Sequence, residues 1–194
     1  TAIYGGEEDM YKETRDSLGL INPKFYLGKV KREDISIHID SYDKELKPRE
    51  YQRAKFEFVC KRLKKFMKDK LKVLVYFPTI PLIYQLQDYI EEHYPALYKQ
   101  VVTYYGSLNK DEKAANHEKF SVGDCKIMFA TKAYGMGIDL PDINIVYHYA
   151  PTGNVCDYVQ EIGRAARDKE IDGHAYFDFL RNDFSHIKRL HGMS

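Results

Sequence analysis

The stretch "KVLVYFPT" at positions 72–79 decides the fold. Val73 to Phe77 form a continuous apolar run too short for a helix. It has no polar alternation, so neither face of the strand meets water. Such strands belong to parallel sheets covered by helices on both sides. Upstream, Pro48 opens a helix in which Phe56, Val59, Leu63 and Phe66 recur at steps of three and four. That spacing makes one apolar face. Downstream, Leu82, Ile83, Leu86 and Ile90 mark the next helix.

The same alternation continues to the end of the chain. "QVVTYY" (100–105), "KIMFAT" (126–131), "INIVYHY" (143–149) and "HAYFDF" (174–179) read as strands. "DISIHID" (34–40), with Ile35, Ile37 and Ile39 alternating, reads as a half-buried strand. Asn109 can cap a helix from Lys110, with Glu112 placed to complete a capping box. Further helices are expected over 155–168 and 182–191. Strands and helices joined by short connections imply an α/β, three-layer sandwich around a mostly parallel sheet. In such sheets ligands sit beyond the carboxyl ends of the strands. Function is therefore sought after "LVYF", "TYY", "MFAT" and "YHY".

Composition narrows the class. The 194 residues are 44% hydrophobic and 30% charged, with a net charge of +1. No apolar run is long enough to span a bilayer, and the opening "TAIYGGEEDM" has no signal-peptide pattern. A chain beginning with Thr is expected to be a processed or excised piece. Three separated cysteines, Cys60, Cys125 and Cys156, include no CxxC pair, which disfavours a structural zinc site. They fit reduced thiols and a cytoplasmic protein. Between Lys44 and Lys72 stand twelve Lys/Arg against four Asp/Glu. The plain reading of that stretch is a solvated helix face.

Two segments carry candidate chemistry. The first is "QEIGRAARD" (160–168). On a helical wheel at about 100° per residue, Val155, Tyr158, Val159 and Ile162 share one sector, read as the core face. Gln160, Arg164 and Arg167 share nearly the opposite one, facing solvent or another body. Two guanidiniums one turn apart suit a polyanion, although on spacing alone an ordinary surface helix is the favoured reading. The second is "KAYGMGIDLPDI" (132–143). Gly135 and Gly137 let the backbone approach a ligand, and Asp139 beside them could accept from a ribose hydroxyl. A plain turn closed by Leu140-Pro141 is the alternative.

Taken in order, these segments resemble the second RecA-like motor domain of a superfamily-2 helicase, and most closely the RecQ family of DNA helicases. "ATKAYGMGIDLPDINIVYHYAPTGNVCDYVQEIGRAARD" (130–168) resembles motifs V and VI almost continuously. "VLVYFPT" resembles motif IV, and "TYYGSL" the segment that family usually writes Tyr-His-Ala-Gly-Leu. The opening "TA" resembles the tail of motif III. The resemblance is thin over residues 1–20 and good over 72–190. It implies that residues 1–24 are the tail of a preceding first motor domain plus linker, and that 25–194 are the helicase C-terminal domain.

The resemblance also implies roles. Arg167 would be an arginine finger toward ATP held by the first motor domain, and Arg164 would assist at the phosphates or brace the interface. Gln160 would couple the nucleotide site to that interface. Gly137 and Asp139 would lie near the nucleotide's sugar. Thr79, Gly106 and Thr131 would contact the backbone of a single strand, expected to be DNA. ATP and Mg2+ would be held mainly by the preceding domain, because no GxxxxGK[ST] loop occurs in this chain. The implied parent is an ATP-dependent helicase, with this chain alone inactive and no membrane partner. An RNA helicase, a restriction-defence translocase and an inactive helicase-like scaffold are the alternatives. The sequence departs from the family pattern at Ala166, where glycine is usual, at Lys169, and at Ile80.

Overall fold

A computed structural model describes residues 15–17, 19, 21, 34–42, 46–132, 140, 142–168 and 171–183. The chain divides into two compact units, Thr1–Arg32 and Glu33–Ser194. In the first, the described residues are a helical turn at 15–17, Gly19 and Ile21. The expected tail and linker therefore lie largely outside the described residues, as do most of the expected helix at 182–191 and the loop holding Gly135, Gly137 and Asp139.

The second unit carries one sheet. Its strands are β1 (Ile35–Tyr42), β2 (Val73–Tyr76), β3 (Val101–Tyr104), β4 (Ile127–Ala130), β5 (Ile145–His148) and β6 (Gly173–Leu180). They lie in the order β1-β6-β5-β2-β4-β3, and every pairing is parallel. The three central strands β2, β4 and β5 are buried at every position. This is the condition that their unbroken apolar runs anticipated.

Helices cover both faces. On one face, α1 (Pro48–Lys68) and α2 (Ile80–His93) pack Phe56, Val59, Leu63, Phe66, Leu82, Ile83, Leu86 and Ile90 onto Val73, Val75, Phe129 and Tyr147. A short turn, α3 (Pro95–Tyr98), follows α2. On the other face, α4 (Lys110–Val122) and α5 (Val155–Ile162) bring Phe120 and Ile162 onto Leu74, Met128 and Val146. The capping box of α4 is present. Glu112 N donates to Asn109 Oδ1 at 2.8 Å, and Asn109 N donates to Glu112 Oε2 at 3.1 Å. Pro48 occupies the first turn of α1. That helix stops without glycine: Lys70 takes φ +58 while Leu71 N donates to Phe66 O and Lys70 N to Met67 O. This is a Schellman closure on a lysine.

Edge strand β1 differs from its expected orientation. Ile37 and Ile39 are 53% and 63% exposed. The opposite face packs instead: Tyr42 lies against Phe58 of α1, and His38 stacks on Tyr176 of β6. His38 and His174 share a hydrogen bond at 3.1 Å. Alternation gives a strand its period but does not say which face a helix will cover.

A buried polar cluster fastens α1 to the end of β6. Lys55 Nζ donates to Asp178 O at 2.7 Å and to Asp183 Oδ2 at 2.9 Å, and both side chains of the ion pair are fully buried. Asp183 also accepts from the Tyr51 hydroxyl and from Leu180 N. Burial lowers the Lys55 pKa, while Asp183 pulls it back up. Asp178 in turn accepts from Arg62 and from the Tyr147 hydroxyl.

Candidate functional site

The carboxyl ends of β2, β4 and β5 open into a groove of about 350 Å³, lined among others by Tyr76, Thr131, Lys132, His148, Asp157 and Glu161. Its floor is built from the strand ends. Tyr76 closes β2 and His148 closes β5, with ring centroids 5.7 Å apart and nearly parallel. Tyr158 of α5 tilts onto His148 from the other side at 4.9 Å. His148 Nε2 and Glu161 Oε2 lie 2.8 Å apart, and both side chains are largely buried. His148 Nδ1 has no hydrogen-bond partner among the described residues.

The rim is set by the start of α5. Asn154 caps the helix by accepting from Asp157 N at 2.8 Å. Lys132, following β4, reaches Asp157 at 2.6 Å. That contact holds the Asp157 carboxyl below its usual range, helped by Asn154.

The arginines do not sit on α5. The helix ends at Ile162, and Gly163 is its C-cap. The chain continues as a turn in which Arg164 N donates to Glu161 O and Ala165 N to Ile162 O. Ala166 N then donates to Ile143 O at 2.9 Å, drawing the chain onto the sheet. Ala166 takes φ +48, in the left-handed region that side chains avoid. A continuous helix over 155–168 is thus corrected to an eight-residue helix plus a pinned turn.

The expected core face is corrected as well. Ile162 is buried and Tyr158 half-buried, but Val155 is 75% and Val159 36% exposed. The first turn of α5 borders an open groove shared with Ile39 and Phe177 rather than a closed core.

The turn nevertheless brings both arginines to the strand ends. Burial pushes the Tyr76 phenol up, Glu161 adds to the rise, and Arg164 and Arg167 oppose it. Arg164 is half-buried, whereas Arg167 and Gln160 are exposed. Ala165 and Ala166 are buried between them. The two buried alanines between the arginines let the turn pack tightly, with Arg167 exposed and Arg164 half-buried beside Tyr76.

The other predicted contacts are spread along the same edge. Thr79 is the N-cap residue of α2, extended in backbone, and its side chain makes no capping bond. Thr131 lines the groove, and its N–H donates to Tyr104 O at 3.3 Å. Gly106 is exposed; its carbonyl accepts from Lys113 Nζ at 2.7 Å, and nothing lies within 4 Å of a Cβ placed on it. Thr131 is thus in the groove, with Thr79 and Gly106 on neighbouring loops outside its lining. Gly137 and Asp139 lie outside the described residues.

Sequence reading missed Tyr76, His148 and Glu161. The available signal was a histidine ending an apolar strand and a glutamate beside Gln160. Only the fold joins them.

Residues 54–169 match the family described as the helicase conserved C-terminal domain. The chain belongs to that family. Among its relatives, the ATP-dependent DNA helicase Q1 of Pongo abelii is 38% identical over 77 residues, 39% of this chain and 12% of that protein. The RecQ-like DNA helicase BLM of Xenopus laevis is 36% identical over 85 residues, 44% of this chain and 6% of that protein. A protein of Acanthamoeba polyphaga mimivirus, named as an ATP-dependent RNA helicase, is 42% identical over 77 residues, 39% of this chain and 14% of that protein. The matched stretch is thus a small part of each relative. The fold matches that of S. cerevisiae Dbp5 bound to RNA and ADP BeF3, with TM-score 0.74 at 18% identity over 100% of this chain and 48% of that one. It also matches Mss116p DEAD-box helicase domain 2 bound to an RNA duplex, with TM-score 0.61 at 17% identity over 82% and 59%. The family match and these fold neighbours make this a second RecA-like domain, and the six-stranded parallel sheet agrees with it.

Proposed function

We propose that this domain is the second half of an ATP-driven nucleic-acid motor of the RecQ type, acting on DNA. The observation that carries the reading is the pinned turn at 163–168. Glu161, held by buried His148, fixes its start. The Ala166–Ile143 bond fixes its end. Between and beside these anchors stand Arg164 and Arg167. Among relatives, the names of helicase Q1 and BLM favour DNA, and the mimivirus protein keeps RNA open as the second reading.

The residues fit a nucleotide held by another domain. The chain contains no GxxxxGK[ST] loop, but it offers guanidiniums at the sheet's carboxyl edge. Bound ATP and Mg2+ supply the phosphoryl chemistry. Arg167 offsets charge that develops on the transferred group. Arg164, less exposed and beside Tyr76, braces the turn and the phosphates. Gln160 would meet the partner domain, and the resemblance assigns Gly137 and Asp139 to the sugar. Thr79, Gly106 and Thr131 hold a single strand through its backbone, without reading sequence. Closing and opening of the cleft then moves one strand-gripping domain against the other.

The experiment is phosphate release by the parent protein with single-stranded DNA, with single-stranded RNA, and with neither. DNA stimulation that RNA does not match supports the DNA reading. Arg167→Ala is expected to slow turnover on the order of a thousandfold or more, as for other arginine fingers, with ATP binding little changed. The 194-residue chain alone is expected to show no turnover. Near-normal turnover of the Arg167→Ala parent, with only a raised substrate requirement, would overturn the finger assignment.

A further inference from the structure

The charged surface of α1 is not used by the site at the strand ends. Lys61, Lys64, Lys65 and Lys68 are all exposed. Their spacing of three and four places them on one helix face, opposite Val59, Leu63 and Phe66, which face the sheet. The stripe rises about 10 Å along the axis. Among the described residues, Lys61, Lys65 and Lys68 have no ion-pair partner. Lys64 lies 4.7 Å over the Tyr94 ring and has no carboxylate partner among the described residues.

The acids upstream of and beside the stripe are already committed. Glu57, one turn before Lys61, is held by Arg53 at 3.3 Å. Asp40 and Asp178, beside the stripe in the groove between α1 and β1, are both held by Arg62. The helix therefore carries four neighbouring like-charge pairs, each mildly destabilising, which the helix C-terminus and exposed Asp69 at the cap offset only in part at Lys65 and Lys68.

We propose that this stripe is a second nucleic-acid contact, taking the sugar–phosphate backbone on α1 away from Thr79 and Thr131. It rests on the reading of the domain as part of a nucleic-acid motor. α1 runs into the start of β2, so Lys68 lies near the amino end of that strand, while Lys61 and Lys65 line the groove beside Asp40, Ser41 and Tyr42 of the edge strand β1, outside the lining of the candidate site. Protein interfaces are organised around buried aromatic or apolar anchors; the rings that flank these lysines, Tyr42, Phe58 and Tyr94, are already half-buried against this domain. Phosphate contacts need only charge at a regular step. A duplex strand presents one phosphate about every 3.4 Å of axis, so a 10 Å stripe covers about three.

The test is fluorescence anisotropy of the 194-residue chain with labelled single-stranded and duplex DNA, over a salt series. The variants are Lys61→Gln/Lys65→Gln/Lys68→Gln and, separately, Thr79→Ala/Thr131→Ala. Loss of three single-strand phosphate contacts is expected to lower the salt slope by about 2, and hence affinity about a hundredfold at 0.1 M salt. The threonine variant removes neutral contacts, so it is expected to weaken binding without changing the slope. If only the lysine variant loses binding, the stripe stands and the strand-end track fails. Unchanged affinity and slope in the lysine variant overturn the proposal, as does absence of DNA binding by the unaltered chain. Displacement of DNA by polyglutamate of matched charge at equal concentration overturns it in favour of an acidic protein partner. Melting of the lysine variant is expected at or above that of the unaltered chain, since like charges are removed. If it unfolds, the three single variants replace it, each expected to lower the slope by about 0.7.

Discussion

Gly173→Ala tests whether the arginine turn is held where the structure shows it. A Cβ on Gly173 would lie 2.7 Å from Ala166 Cβ, 3.1 Å from Ala165 Cβ and 3.3 Å from Asp34 O. Carbon atoms in contact prefer about 3.5–4.0 Å, so the turn must retreat by roughly 0.8 Å or more. The obstructing atoms cannot swing away, because a Cβ moves only with its backbone. That backbone is tied through Ala166 N to Ile143 O, and Gly173 N is tied to Asp34 O at 3.0 Å. Overpacking of this kind costs about 1–3 kcal/mol. At the middle of that range the melting temperature of a chain this size falls by about 4–8 °C. Arg164 and Arg167 flank the displaced alanines. A misplacement of about 1 Å at a catalytic group costs around a hundredfold in rate. The parent protein carrying Gly173→Ala is therefore expected to lose about that much turnover at a temperature where it remains folded. Differential scanning fluorimetry of the chain and steady-state phosphate release by the parent give the two readouts. Adding Ala166→Gly removes the closest contact, so the double variant is expected to recover part of both losses. Unchanged melting and turnover in Gly173→Ala would refute the reasoning. Lower stability with normal turnover would show that β6 gives way instead, and that Gly173 does not set the arginines.

Two further outcomes follow from the polar contacts. Lys55→Met leaves Asp183 buried without its cation and is expected to destabilise by about 3–5 kcal/mol; Lys55→Met/Asp183→Leu is expected to recover much of this in chemical denaturation. The Asp157 carboxyl, lowered from 3.8 chiefly by Lys132, contributes stability that is present above its unfolded pKa. That contribution is lost as pH falls through its lower folded value, so Asp157→Asn is expected to flatten the acid limb of the stability curve below about pH 4, read by melting across pH.

The sheet was legible because its signal is local. Runs such as 73–77 and 127–130 are buried on both faces, and burial on both faces leaves no polar position to confuse the period. The capping box at Asn109 was legible for the same reason, since both partners lie within four residues. The end of α5 was not. Ile162 is followed by Gly163, the C-cap, but one glycine ahead of Arg-Ala-Ala-Arg only weakens a helix and does not by itself fix where it ends. What stops it is a bond to Ile143 and close packing against Gly173, and neither is a neighbour in sequence. The buried His148–Glu161 pair was hidden similarly, because each residue gains its meaning from the other across thirteen positions. The misread face of β1 is an edge effect. Ile37 and Ile39 lie on the α4–α5 face but at its edge, beyond what those helices cover, while α1 takes Tyr42 on the other face.

The departure at Ala166 is the place where sequence and geometry answer each other. The resemblance puts glycine there, and the structure gives that position φ +48, a conformation for which glycine has no penalty. Alanine accepts it at a cost of about 1 kcal/mol, so the backbone is fixed by its surroundings rather than by its own preference. The bond to Ile143 and the contact with Gly173 supply that constraint. The substitution therefore leaves the arginine turn in place and places its cost in stability. Replacing Ala166 by glycine relieves the strain but removes a buried methyl worth about 0.8 kcal/mol. It also adds unfolded-state freedom worth about 0.4–1 kcal/mol. The sum lies near zero or slightly below it. An alanine at this position is consistent with a working arginine turn because the tertiary contacts, not the residue's own propensity, hold Arg164 and Arg167 at the strand ends.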